Sequence, residues 1–205
     1  MITEGINIVL IGLLLVFSCL ATKNNWLSFV FLTLTLFIVY FFRDPDRKIN
    51  YLNDYCYSPC DGRVIDIEPI LIENKNYICI SIFLNVFDVH KNWLPVEGVV
   101  TKITIKDGQF DNALYEKTNA KVTTQLETKF GKVYFDQITG LFARRIKNNL
   151  IVGNKYKTGH PFGFIIFGSK MKVFIPEDSS ILVNLGHRCV GGQTILSKFN
   201  VNNIP

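Results

Sequence analysis

The chain has 205 residues, with 22 Lys+Arg, 17 Asp+Glu and three His, a formal charge of +5 on a sequence only 19% charged. Its 48% hydrophobic and 13% aromatic content excludes a disordered tail or a dedicated nucleic-acid arm, so no nucleic-acid partner is expected. The five cysteines, at 19, 56, 60, 79 and 189, form no Cys-x-x-Cys pair and leave an odd one over, a pattern that supports neither a disulfide framework nor a zinc site, and no metal is expected.

Taken in chain order, the first elements are two uncharged apolar runs, 6–21 and 26–42, separated by Thr22-Lys23-Asn24-Asn25. Each predicts a helix of about 24–26 Å, slightly short of the roughly 30 Å hydrocarbon core of a bilayer. The mean hydropathy of +0.23 is high for a domain of this size and favours a membrane-associated helical hairpin over 1–42. A buried two-helix core is the alternative. The start carries Glu4 and no basic residue, which fits a cleaved signal peptide poorly. Arg43, Arg47 and Lys48 follow the second run, so the bias of basic residues toward the cytoplasmic flank predicts a cell-membrane protein with its main domain inside. Glu4 and Lys23 cancel, leaving the whole +5 on that domain, where it faces an anionic leaflet.

Residues 43–205 form the second predicted domain, large enough to bury a core without disulfides. Strands are predicted over 62–68, 77–84, 98–105, 121–127, 132–139, 162–167, 172–175 and 180–185, from β-branched and aromatic runs bounded by Gly, Pro and Asn. Helix is scarce; the one candidate covers 140–146, where Leu141-Phe142-Ala143-Arg144-Arg145 contains no breaker. The expected fold is mainly β, a sandwich or barrel, and two similar glycine turns around 157–163 and 189–195 are of the kind lipoyl-like barrels use.

Three segments offer chemistry: Ser58-Pro59-Cys60-Asp61-Gly62-Arg63-Val64, Phe87-Asp88-Val89-His90-Lys91-Asn92, and Phe167-Gly168-Ser169-Lys170. Alone, each matches an ordinary turn or loop. Ser169 differs because it interrupts the apolar run 162–167, and the glycine before it leaves its own carbonyl carbon unshielded. A serine hydroxyl beside that carbonyl can turn the amide into an ester. Elimination then releases the upstream carboxylate and leaves dehydroalanine, which hydrolyses to a pyruvoyl group and ammonia.

Phe41-Phe42-Arg43-Asp44-Pro45-Asp46-Arg47, the Asp61-Gly62 segment, the stretch from Ile82 to Asn92, Gly140 to Ile146 and Phe162 to Lys170 occur in an order that resembles the short form of the phosphatidylserine decarboxylases, over essentially the whole chain. The resemblance implies a lipoyl-like β domain and self-cleavage at Gly168-Ser169. It also implies a β chain of 1–168 and an α chain of 169–205 that remain together as a heterodimer. Ser169 becomes the covalent pyruvoyl cofactor, Asp61 is tied to autocleavage, and His90 to proton handling during decarboxylation. The Ala143 to Ile146 motif is expected near the core.

The sequence departs from the family in three places. Trp93 stands where longer members have a second histidine, Cys60 where alanine is common, and Asn119-Ala120-Lys121 where Asn-Glu-Arg is common. The implied partners are the membrane and its phosphatidylserine, whose decarboxylation to phosphatidylethanolamine needs an electron sink. A pyruvoyl carbonyl supplies one through a Schiff base with the headgroup amine. His90, with an ordinary pKa near 6.5, suits the proton transfer.

Candidate phosphate donors are Arg63, Lys91, Lys102 and Arg144, while His160 and His187 read as surface residues. The segment Trp93-Leu94-Pro95-Val96 is expected either as an apolar lip toward the bilayer or as ordinary core. Two other functions remain open from sequence: a non-enzymatic, membrane-tethered lipoyl-like interaction module, and a serine hydrolase using Ser169 with Lys170. The second is disfavoured because neighbouring strand residues face opposite sides.

Overall fold

The computed structural model describes residues 3–47, 49–108, 119–140, 146–165 and 169–200, and the chain divides into two compact units, Met1–Asp46 and Arg47–Pro205.

The first unit is a helical hairpin of α1 (Thr3–Ala21) and α2 (Asn25–Phe41). Lys23, at φ 59, reverses the chain, and Asn24 caps α2 by accepting from Leu27 N–H at 3.3 Å. Small and hydroxyl residues fill the seam: Gly12 faces Thr35, and Ser28 is buried. Most other side chains are large, apolar and exposed, among them Ile11, Leu14, Phe17, Trp26, Phe29 and Leu36. The helices measure about 28 and 26 Å at 1.5 Å per residue. Among the described residues, no helix is long and apolar enough to cross a membrane.

The second unit is mainly β. In chain order its strands are β1 (Tyr55–Tyr57), β2 (Gly62–Ile72), β3 (Lys75–Leu84), β4 (Lys91–Trp93), β5 (Gly98–Lys106), β6 (Lys121–Thr128) and β7 (Gly131–Ile138). Then come β8 (Ile146–Asn148), β9 (Lys155–Tyr156), β10 (Pro161–Ile165), β11 (Ser169–Pro176), β12 (Ser180–Ile181), β13 (Arg188–Cys189) and β14 (Ile195–Lys198). An eight-stranded antiparallel sheet runs β13-β2-β3-β11-β7-β6-β5-β9, accompanied by two three-stranded sheets, β1-β14-β12 and β4-β10-β8. Tight turns join the long hairpins. Between β2 and β3 both Glu73 and Asn74 have positive φ, the geometry that matches the right-handed twist of paired strands.

One core unites the three sheets, drawing Ile80, Ile82, Phe135 and Met171 from the large sheet, Phe162 and Ile165 from β10, and Cys56 and Leu196 from the third. A smaller cluster of Tyr77, Cys79, Tyr134 and Phe174 packs on the opposite face of the large sheet. The long predicted strands are present. Of the expected run 162–167, residues 162–165 lie in β10, 166 and 167 lie outside the described residues, and the next described strand begins at Ser169 in a different sheet. The predicted strand over 180–185 shrinks to two residues, Ser180–Ile181. The helix expected over 140–146 falls mostly outside the described residues, since 141–145 are not among them, and its last residue, Ile146, opens β8 as strand.

Candidate active site

Four strand ends meet at one end of the large sheet: β2 begins at Gly62, β3 ends at Leu84, β11 begins at Ser169 and β7 ends at Ile138. The registers align them, with Ser169 opposite Leu84, Lys170 opposite both Phe83 and Ile138, and Arg63 opposite Phe83. Gly62, at φ +149, is required there, because a Cβ would stand 2.3 Å from Phe83 O.

Ser169 lies on the core face of β11 with Met171 and Val173, and all three are fully buried. Its Oγ has no hydrogen-bond partner among the described residues. The expected cleavage partner, Gly168, lies outside the described residues, as do Ala143, Arg144 and Arg145. Lys170 belongs to the opposite face by strand alternation and is buried, so it is neither a base for Ser169 nor the exposed lysine a carrier domain presents.

His90 reaches the same end by a different route. Beyond Leu84 the chain turns at Asn85, whose N–H donates to Asp88 Oδ2 at 2.8 Å and whose side chain accepts from Phe87 N–H at 3.2 Å. Asp88 is also ion-paired with Arg188. The chain then returns so that His90 O accepts from Ile165 N–H at 3.3 Å, four residues before Ser169. The His90 ring is buried, with Nδ1 2.8 Å from Asp88 O. A carbonyl can only accept, so Nδ1 carries the proton and Nε2 is the basic nitrogen of the neutral ring.

Asp61, one residue before Gly62, is also at this end, but its carboxylate is committed elsewhere. Arg47 grips it with two N–H groups, at 2.5 Å to Oδ1 and 2.8 Å to Oδ2, and Gly191 N–H donates to Oδ1 at 2.8 Å. The Arg47 guanidinium donates to Gly191 O at 2.6 Å and lies 4.3 Å above the centre of the Trp93 ring. At Trp93 the chain thus builds an arginine–tryptophan stack.

Of the two readings of 93–96, apolar lip or ordinary core, the structure shows core. Trp93, Leu94 and Val96 are buried, and backbone hydrogen bonds fasten the segment on both sides, Trp93 N–H to Pro59 O at 2.9 Å and Leu94 N–H to His160 O at 2.8 Å. His160 and His187 are exposed, as expected. Of the phosphate candidates, Arg63 and Lys102 are exposed and Lys91 is half-buried, while Arg144 lies outside the described residues.

Sequence reasoning overlooked a polar network below His90. Asn92, Gln137, Asn148 and Thr124 join β4, β7, β8 and β6 by side-chain hydrogen bonds of 2.9–3.1 Å. Asn92 stood inside a quoted motif and Gln137 breaks the apolar strand 132–139, but their partners are distant in sequence and leave no local pattern.

A fully buried serine whose hydroxyl has no partner among the described residues opens β11, and His90, its ring oriented through Asp88 O, accepts at its backbone carbonyl from Ile165 N–H, four residues upstream of that serine. A family profile for phosphatidylserine decarboxylase matches residues 34–197. The phosphatidylserine decarboxylase proenzyme of Wolbachia pipientis wMel is 34% identical over 213 residues, covering 98% of this chain and 92% of that protein. The proenzymes of Rickettsia akari (strain Hartford) and Wolbachia sp. subsp. Brugia malayi (strain TRS) are each 37% identical, covering 90% and 91% of this chain and 84% and 86% of their own lengths. The chain belongs to the phosphatidylserine decarboxylase family.

Proposed function

We propose that this chain converts phosphatidylserine to phosphatidylethanolamine with a pyruvoyl group it makes from Ser169. The observation that carries the proposal is the fully buried Ser169 Oγ at the first residue of β11, which has no hydrogen-bond partner among the described residues. Ser169 Oγ bonds to the Gly168 carbonyl carbon, the C–N bond breaks, and an ester replaces the amide. Loss of the Ser169 α-proton then expels the Gly168 carboxylate. Water replaces nitrogen, which leaves as ammonia, so each cleavage consumes one water. The products are chains 1–168 and 169–205.

The residues present fit such a group. A carbonyl generated at Ser169 sits at a sheltered strand end, with His90 on the neighbouring backbone. When present, a pyruvoyl group supplies an electron sink for the pair left behind as carbon dioxide departs. His90 Nε2, its tautomer fixed through Asp88 O, accepts the Ser169 hydroxyl proton during cleavage and delivers a proton to the decarboxylated carbon in turnover. Asp61 acts through structure, holding Arg47 and Gly191 in place beside the centre.

The wider arrangement is proposed on the same footing. The second unit is a lipoyl-like barrel, and the hairpin seats the enzyme in the cell membrane through its exposed apolar side chains, a surface too extensive for water. The cytoplasmic placement rests on Arg43 and Lys48 in the flank, Arg47 being spent on Asp61.

Intact mass and a denaturing gel of the purified protein test the reading. Two fragments split before residue 169, with a keto acid at the start of the smaller, are expected, and Ser169→Ala should give one uncut chain. Active protein that consists of an unbroken polypeptide overturns it.

A further inference from the structure

Asp88 closes the turn that carries His90, and it does so through both its backbone and its side chain. Its N–H donates to Asn85 O at 2.9 Å, and its Oδ2 accepts from Asn85 N–H at 2.8 Å. Its carbonyl accepts from His90 Nδ1–H at 2.8 Å and so sets the tautomer of the ring. Its Oδ1 is ion-paired with the Arg188 guanidinium. One residue therefore joins the turn, the imidazole and a cation that lies beyond the proposed cut.

The Asp88 side chain is only 2% exposed, whereas that of Arg188 is 55% exposed. A carboxylate buried to that extent needs a countercharge as well as hydrogen bonds to replace its lost hydration. Arg188 is well fixed for the purpose. It stands opposite Arg63 in the ladder of β13 with β2, followed by the pair of Cys189 with Gly62, and Arg63 donates to Gly186 O at 2.8 Å, holding the turn that leads into β13. Without that cation the carboxylate regains water only if the turn opens, because Oδ2 is what closes it on Asn85. An opened turn carries the Asp88 carbonyl away from Nδ1.

We propose that Arg188 is a positioning residue for His90: by neutralising Asp88 it holds the turn closed and keeps the imidazole proton on Nδ1, leaving Nε2 basic. The inference rests on the reading that His90 moves the protons of cleavage and decarboxylation. It adds that the segment after the cut supplies, besides Ser169, the cation that keeps this histidine in its working form. A misplacement of about 1 Å can cost about 10²-fold in rate, so a half-exposed arginine governs the chemistry through a ring it does not touch.

Arg188→Met tests the assignment by three measurements. In a Ser169→Ala background, ¹⁵N NMR of the three histidines reports the tautomers, and His90 should be the Nδ1–H form in the parent and a mixture of both forms in Arg188→Met. In the cleavable chain, made by cell-free synthesis with phosphatidylserine vesicles, fragment formation and carbon dioxide release by the cleaved fraction should each slow about 10²-fold, the latter in kcat with KM little changed. Added to His90→Gln, Arg188→Met should slow nothing further, because its effect passes through the missing ring. Arg188→Gln serves if the Met variant does not fold, and Arg188→Lys, which keeps the charge, should recover most of the rate. An unchanged His90 tautomer overturns the inference. So does a further loss in the double variant, or a raised KM at unchanged kcat, which would make Arg188 a contact for the lipid phosphate. Normal cleavage and turnover in His90→Gln alone would instead defeat the reading of His90 on which the inference rests.

Discussion

Removing Arg47 should destabilise the β unit more than any exposed substitution, and the structure sets the scale. The Arg47 and Asp61 side chains are only 7% and 11% exposed, and two N–H groups at 2.5 and 2.8 Å join them. Arg47→Met keeps much of the stem that packs on Trp93 but strands the Asp61 carboxylate, leaving it one N–H donor, from Gly191. Breaking a buried pair from one side costs about 3–5 kcal/mol, because the remaining charge keeps its desolvation penalty without its partner. At about 2–4 °C per kcal/mol for a domain of this size, Tm should fall by about 6–20 °C. The measurement belongs in a Ser169→Ala background, so that every sample is one uncut chain, with unfolding followed by tryptophan fluorescence in mild detergent. Asp61→Asn in the same background removes the charge from the other side, and the double variant should recover much of the loss, because nothing charged is left buried. Arg47→Met within about 1 kcal/mol of its parent, or strictly additive losses in the double variant, would refute the reasoning, since either result requires the pair to be solvated.

Two further outcomes follow. His90→Gln preserves a polar side chain but removes the basic nitrogen, so both fragment formation and turnover by the cleaved fraction should slow by about 10²–10⁴-fold, measured by gel and by release of carbon dioxide; loss of only one of them would split the two roles assigned to His90. Burial pushes the Cys189 thiol from its ordinary 9.0 up to about 11, and those of Cys56 and Cys60 up as well. A thiol kept neutral by the fold stabilises it fully below its unfolded pKa and loses that contribution as pH rises through the folded value, so Tm should fall from pH 9 toward pH 11. A flat profile there, read by the same fluorescence melt, contradicts the burial.

The long strands were legible because each carries enough apolar, β-branched residues between turn formers to show its period. Strands β4, β8, β9 and β13 have only two or three residues and exist because a partner strand accepts them, which no local pattern records. The same limit governs the site. Ser169 could be singled out because it breaks an apolar run, and His90 because its residue type suits proton transfer. The grip of Arg47 on Asp61 joins positions 14 apart, and that of Gln137 on Asn92 joins positions 45 apart, across sheets whose packing only the folded chain defines. Trp93 shows an ambiguity of another kind: an apolar cluster beside a candidate histidine reads equally as a membrane lip or as core until the guanidinium covering it is seen.

The position of Ser169 also explains how a chain can cut itself without coming apart. The residues after the proposed cut supply β11, which lies between β3 and β7 in the middle of the large sheet, together with β13 on β2 and β14 on β1. Arg188 pairs with Asp88, and Gly191 is held by Arg47 and Asp61, so polar ties add to the ladders. The bond to be broken precedes the first ladder pair of β11, that of Ser169 with Leu84. Severing it leaves every one of these contacts intact. The ladders to β3 and β7 also seat Ser169, so the proposed chemistry begins in a chain that has already folded, and folding has by then built the interface that retains the product.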